Sequence, residues 1–143
     1  TRRLRFPDER EVVLTDTVGF IRDLPSDLVA AFRATLEELE DADLLIHVVD
    51  LADSDWEERM EAVDGILTDL DLGEVSRLVV FNKIDKLPGD TPLEGLTRRF
   101  DAVCVSALDS STLRPLSERI LSTFEGRGAW GRERDVEPSP VSP

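Results

Sequence analysis

Arg77-Leu78-Val79-Val80-Phe81-Asn82-Lys83-Ile84-Asp85 is the stretch from which the architecture can be read. A continuous apolar run, Leu78 to Phe81, breaks off into an amide, an ammonium and a carboxylate. A strand that is apolar at every position has no wet face, so it must be covered on both sides, as parallel strands in α/β sheets are. Its polar residues then stand beyond the carboxyl end of the strand, where open α/β sheets bind their ligands.

The pattern repeats on either side. Leu44-Leu45-Ile46-His47-Val48-Val49-Asp50 is a second apolar run ending in a carboxylate, and Ala102-Val103-Cys104-Val105 a third, followed by Ser106-Ala107-Leu108. Between the first two, Trp56, Met60, Val63, Ile66, Leu67 and Leu70 recur at helical spacing. Ser54-Asp55-Trp56-Glu57 has the form of a capping box at the start of that helix, and Gly73 marks its end or the loop after it. Thr91-Pro92 opens a short helix with Leu93, Leu96 and Phe100 on its apolar face. Leu113, Leu116, Ile120, Leu121 and Phe124 form a last helix, with Pro115 near its start.

Toward the beginning, Arg3-Leu4-Arg5-Phe6 and Glu11-Val12-Val13-Leu14-Thr15 flank the turn residues Pro7-Asp8-Glu9-Arg10, which predicts an antiparallel hairpin ending at Asp16. Pro25 and Ser26 start a helical pattern with Leu28, Val29, Phe32, Leu36 and Leu39 on one face. After Gly126 the periodicity stops in a Gly-, Pro- and Ser-rich stretch. The expectation is one α/β domain over residues 1–125, a mostly parallel sheet flanked by helices with an N-terminal antiparallel hairpin, and a disordered tail over residues 126–143.

Composition narrows the function. A net charge of −14 over 143 residues disfavours an extended nucleic-acid groove, although Arg2, Arg3 and Arg5 form a local basic cluster. Arg98-Arg99 reads as solvated surface. The single cysteine, Cys104, lies in an apolar run and reads as a buried, inert thiol, in keeping with a reducing, cytoplasmic setting. His47, the only histidine, reads as a strand side chain with a local hydrogen bond rather than a metal ligand. No apolar run approaches membrane-span length, and the start carries no signal-peptide pattern. Beginning at Thr1 rather than Met, the chain is expected to be a piece of something longer.

The polar strand ends carry the chemistry. An aspartate at the position of Asp85 can accept two hydrogen bonds from guanine, from its ring N–H and its exocyclic amino group; adenine offers no such donor pair. Lys83 can lay its alkyl stem along a base or sugar, and Asn82 can tie this loop to its neighbours. Ser106 can brace the loop, and the Ser106-Ala107 turn can supply a backbone N–H to the guanine oxygen. Asp16-Thr17-Val18-Gly19 offers a carboxylate for a Mg²⁺-bound water and a glycine that lets a backbone N–H approach a phosphate oxygen. Alone, that tetrapeptide is equally an ordinary strand-to-loop turn. A phosphoacceptor receiver domain is also acidic and α/β, but the adjacent acidic pair expected at its first strand end is missing here.

Together these motifs resemble the G domain of translation-factor-type P-loop GTPases. Asp16-Thr17-Val18-Gly19-Phe20-Ile21-Arg22-Asp23-Leu24-Pro25, with Leu28-Val29-Ala30-Ala31-Phe32-Arg33-Ala34-Thr35-Leu36-Glu37-Glu38, narrows the resemblance to the HflX-type ribosome-associated GTPases, over roughly residues 1–124. The resemblance implies nucleotide contacts from Asp16, Thr17, Val18 and Gly19, from Asn82, Lys83, Ile84 and Asp85, and from Ser106, Ala107 and Leu108. It implies Mg²⁺ at Asp16 through water, GTP and GDP as ligands, GTP hydrolysis, and action on the large ribosomal subunit. Phe20 stands where Ras-like GTPases carry a water-orienting glutamine, which implies slow intrinsic hydrolysis; the ring could equally pack under the loop. No G-x-x-x-x-G-K-[ST] occurs in the 143 residues. The expected fold is therefore an incomplete G domain without a central strand and first helix, with little activity of its own. The competing expectation is a nucleotide-independent pseudo-GTPase acting as a binding module.

Overall fold

The computed structural model describes residues 2–16 and 38–126. The expectations for residues 17–37 (the Thr17-Val18-Gly19-Phe20 segment and the helix from Ser26) and for the tail over residues 127–143 lie outside them.

Three strands, β3 (Leu45–Asp50), β4 (Arg77–Asn82) and β5 (Val103–Cys104), form a parallel sheet in the order β3-β4-β5. They follow a hairpin of β1 (Arg2–Arg5) and β2 (Glu11–Leu14), paired antiparallel with Arg5 opposite Glu11. The crossovers are α1 (Trp56–Asp69) and α2 (Leu93–Phe100), and α3 (Leu113–Glu125) follows β5. The α/β expectation, with a parallel sheet, flanking helices and an N-terminal hairpin, holds.

β4 is apolar throughout because both of its faces are covered. Leu78 and Val80 pack with Phe6, Val105 and Ile120, on the side of α3 and the hairpin. Val79 and Phe81 point the other way, against Val49, Leu51 and Met60, with Trp56, Leu93, Leu96 and Phe100 around them. Successive strand residues alternate faces, so one continuous run feeds two cores. Phe81 is fully buried. Trp56, Phe81 and Phe100 meet edge to face, with ring centroids 5.3 to 5.8 Å apart. Among the described residues β3 pairs on one side only, and its Val48 is 59% exposed.

Local expectations are corrected at the α1 N-cap and at His47. α1 has Asp55 rather than Ser54 at its N-cap, with no side-chain cap bond; instead the Asp53 carboxylate accepts the Asp55 N–H at 2.9 Å. Gly73 lies in the loop after α1, as expected, and the left-handed residue there is Asp71 (φ 57). His47 does not make the expected hydrogen bond: its Nδ1 is buried without a partner among the described residues. Burial, helped by the nearby Arg77 guanidinium, holds its imidazole below the ordinary histidine value.

Candidate nucleotide-binding site

The parallel register places Asp50 opposite Asn82, and Phe81 opposite Cys104, so the carboxyl ends of β3, β4 and β5 finish side by side. The residues that follow them form one cluster.

β4 ends at Asn82, and the chain leaves the strand line at Lys83, which adopts φ 65, ψ 34. A left-handed conformation costs a non-glycine residue about 1 kcal/mol or more, and persists only where its surroundings hold it. Here the Ile84 N–H donates to the Val105 carbonyl at 3.3 Å and the Lys86 N–H to the Lys83 carbonyl at 3.1 Å. Ile84–Lys86 then form a single 3-10 turn that presents Asp85.

Besides the Ile84–Val105 bond, two bonds made through side chains join this loop to the one after β5. The Ser106 hydroxyl donates to Asp85 Oδ1 at 2.9 Å, and the Ala107 N–H donates to Asn82 Oδ1 at 3.1 Å. Ser106 is buried, whereas Asp85 is exposed and its Oδ2 has no hydrogen-bond partner among the described residues. The inner oxygen of Asp85 is thus fixed and the outer one is open to a ligand.

The loop after β5 is itself clamped by Thr112. Its Oγ1 accepts the Ser106 N–H at 2.9 Å and lies within hydrogen-bond distance of the Ser106 carbonyl at 2.9 Å and the Asp109 carbonyl at 2.7 Å. Asp109 accepts from the Ser111 N–H and hydroxyl, which hold its carboxyl below the usual carboxylate range. Sequence reasoning missed Thr112. The only available signal was a hydroxyl six residues after Ser106, and that is too common to single out.

One expectation shifts. The N–H groups of Ser106 and Ala107 are both engaged inside the protein, so neither is a free donor for a base oxygen in this state. The Leu108 N–H has no partner among the described residues, and the Leu108 side chain is 87% exposed.

Lys83 reaches in a different direction. Its Nζ donates to Asp50 Oδ2 at 2.7 Å, while Asp50 Oδ1 accepts the Ala52 N–H at 3.0 Å. The Lys83 ammonium holds the Asp50 carboxyl below the usual carboxylate range, and Asp50 raises Lys83 in return. Both side chains are more than a third exposed, so solvent screens the pair.

The structure therefore brings together Asn82, Lys83, Ile84, Asp85, Ser106, Ala107 and Leu108. Asp16 stands exposed two residues beyond β2, and no described contact ties it to this cluster. A solvated carboxylate of this kind fits Mg²⁺, which keeps several waters and takes one or two carboxylates alongside phosphate oxygens. Among the described residues no group of three or more acidic, His or Cys side chains gathers around a single point.

A family model described as 50S ribosome-binding GTPase matches residues 1–83. The chain is 48% identical over 119 residues to GTPase HflX of Magnetococcus marinus, covering 83% of this chain and 28% of that protein. It is 53% identical over 91 residues to GTPase HflX of Escherichia coli, covering 64% of this chain and 21% of that protein. The chain thus spans less than a third of the relatives it matches. Among solved structures, a GTP-binding protein from the archaeon Sulfolobus solfataricus in complex with GDP aligns with a TM-score of 0.75 and 32% identity, over 88% of this chain and 45% of that one.

Proposed function

Because the chain belongs to the 50S ribosome-binding GTPase family, we propose that its clustered loops read the guanine base of GTP and GDP within an HflX-like GTPase. The observation that carries this reading is the pair of bonds from Ser106 to Asp85 and from Ala107 to Asn82. They fix the carboxylate plane, leaving Oδ2 open and a second lone pair on Oδ1, so that the two oxygens can take the two adjacent donors of a guanine edge. Lys83 supplies an apolar stem beside it, and the Leu108 N–H is the donor left for the base oxygen.

Asp16 is assigned to a Mg²⁺ ion through water, and Thr17, Val18 and Gly19 to the neighbourhood of the terminal phosphate. The metal supplies charge neutralisation on the phosphate oxygens. The Phe20 side chain has no polar atom with which to orient water, so hydrolysis by the whole protein is slow until a partner completes the site. The partner is the large ribosomal subunit, and the compartment is the cytoplasm. The working part runs over residues 1–125, with residues 126–143 as a tail.

Titrating the chain with guanosine, adenosine and xanthosine, followed by chemical-shift changes at Asp85 and Leu108, tests the reading. Selective response to guanosine is expected. No response to any would leave the nucleotide-independent binding module as the better reading, and an equal response to all three would overturn the guanine selectivity.

A further inference from the structure

We propose, on the basis of the guanine reading above, that Asp50 is a positioning residue for base recognition: it draws the Lys83 ammonium away from Asp85 and fixes the lysine stem as a shelf for the ring. The sequence marks Asp50 only as a strand end, and the base-reading motif does not include it.

The geometry carries this in three steps. First, register puts Asp50 opposite Asn82, so its carboxylate stands beside the residue preceding Lys83. Second, that carboxylate is not free to turn, since Oδ1 is held by the Ala52 N–H at 3.0 Å while Oδ2 takes the Lys83 Nζ at 2.7 Å. Third, Lys83 turns out of the strand at φ 65, so its stem crosses toward β3 instead of extending into solvent.

The charges explain why such a tether matters. Lys83 lies within the field of Asp85 as well as Asp50. An untethered ammonium there would compete with a guanine edge for the oxygen that Asp85 leaves open. Asp50 gives it another partner. The tether also removes rotamer freedom from a long side chain before a ligand arrives, which lowers the ordering cost on binding. Because both partners are more than a third exposed, the effect is bounded: up to about fivefold in affinity, as for exposed ion pairs in general.

The test uses the full 143-residue chain with ¹⁵N-labelled lysine, the variants Asp50→Asn and Asp50→Glu, and guanosine with adenosine as control. Asp50→Asn is expected to move the Lys83 Nζ signal toward that of a free lysine and to weaken guanosine binding by up to about fivefold. Asp50→Glu restores both in part. In a Lys83→Met background, where no ammonium remains to be drawn aside, Asp50→Asn adds no further loss. An unchanged guanosine affinity in Asp50→Asn, or the same loss in the Lys83→Met background, overturns the proposal and leaves the guanine reading standing. A wild-type chain that takes up no guanosine, or adenosine equally, overturns the guanine reading and the proposal with it.

Discussion

The Ser106 hydroxyl donates to Asp85 Oδ1 across 2.9 Å, joining a buried residue after β5 to an exposed one after β4. With the Ala107–Asn82 bond it joins two separate loops into one site. Ser106→Ala removes the donor while leaving the fold's packing nearly intact. A hydrogen bond to a charged group contributes about 1.5–3 kcal/mol, and the exposure of Asp85 puts this one at the lower end. Guanosine binding by the variant is expected to weaken by roughly tenfold, read by chemical-shift titration. Wild-type affinity would separate the brace from base reading.

Asp85→Asn exchanges an acceptor-only carboxylate for an amide with one acceptor and one donor group. Guanine presents two donors on the relevant edge; xanthine replaces the exocyclic amino group with an oxygen. The variant is therefore expected to lose guanosine and gain xanthosine. Competition between the two nucleosides reads the change, and an unaltered preference would remove Asp85 from the site.

Phe81 is the best-buried large side chain among the described residues, with Trp56 and Phe100 edge-on to it. Phe81→Ala is expected to cost about 3–5 kcal/mol, measured by urea unfolding. Because Asn82 follows directly, the same variant should also loosen the base loop, visible as faster amide exchange at residues 82–85.

The half-buried His47 ring gives a pH prediction. Its folded value lies below the ordinary 6.5, chiefly through burial. The unfolded chain then takes up the proton more readily. Stability is full above 6.5 and is lost as pH falls from there through the folded value. Unfolding midpoints measured across that window should decline in the wild type, and His47→Gln should flatten the decline. An equal slope in both would place the titrating group elsewhere.

None of the 143 residues forms the Gly-rich phosphate-loop pattern. That loop's backbone N–H groups cradle the α- and β-phosphates. The chain by itself is expected to bind GTP little better than guanosine, since on the proposed reading its clustered loops contact the base. Calorimetry on the purified chain checks this, and much tighter GTP binding would mean that another segment supplies phosphate contacts.

The sequence alone determined which residues become strands, because Leu78 to Phe81 has no polar position and a strand without a wet face must lie inside a helix-covered sheet. It also determined that Asn82, Lys83, Asp85 and Ser106 follow strand ends, since the breaks in the apolar runs are local. Hydropathy carries no information about how far one strand has slid along another. The register that sets Asp50 opposite Asn82 and Phe81 opposite Cys104 is decided by packing across the sheet. The Lys83–Asp50 pair, the Thr112 clamp, the engaged Ala107 N–H and the His47 Nδ1 left without a partner among the described residues emerged only from the tertiary structure. The Lys83–Asp50 and Ala107–Asn82 contacts join groups 33 and 25 residues apart, which only the assembled sheet brings within reach, and the Thr112 clamp depends on how the loop after β5 folds back.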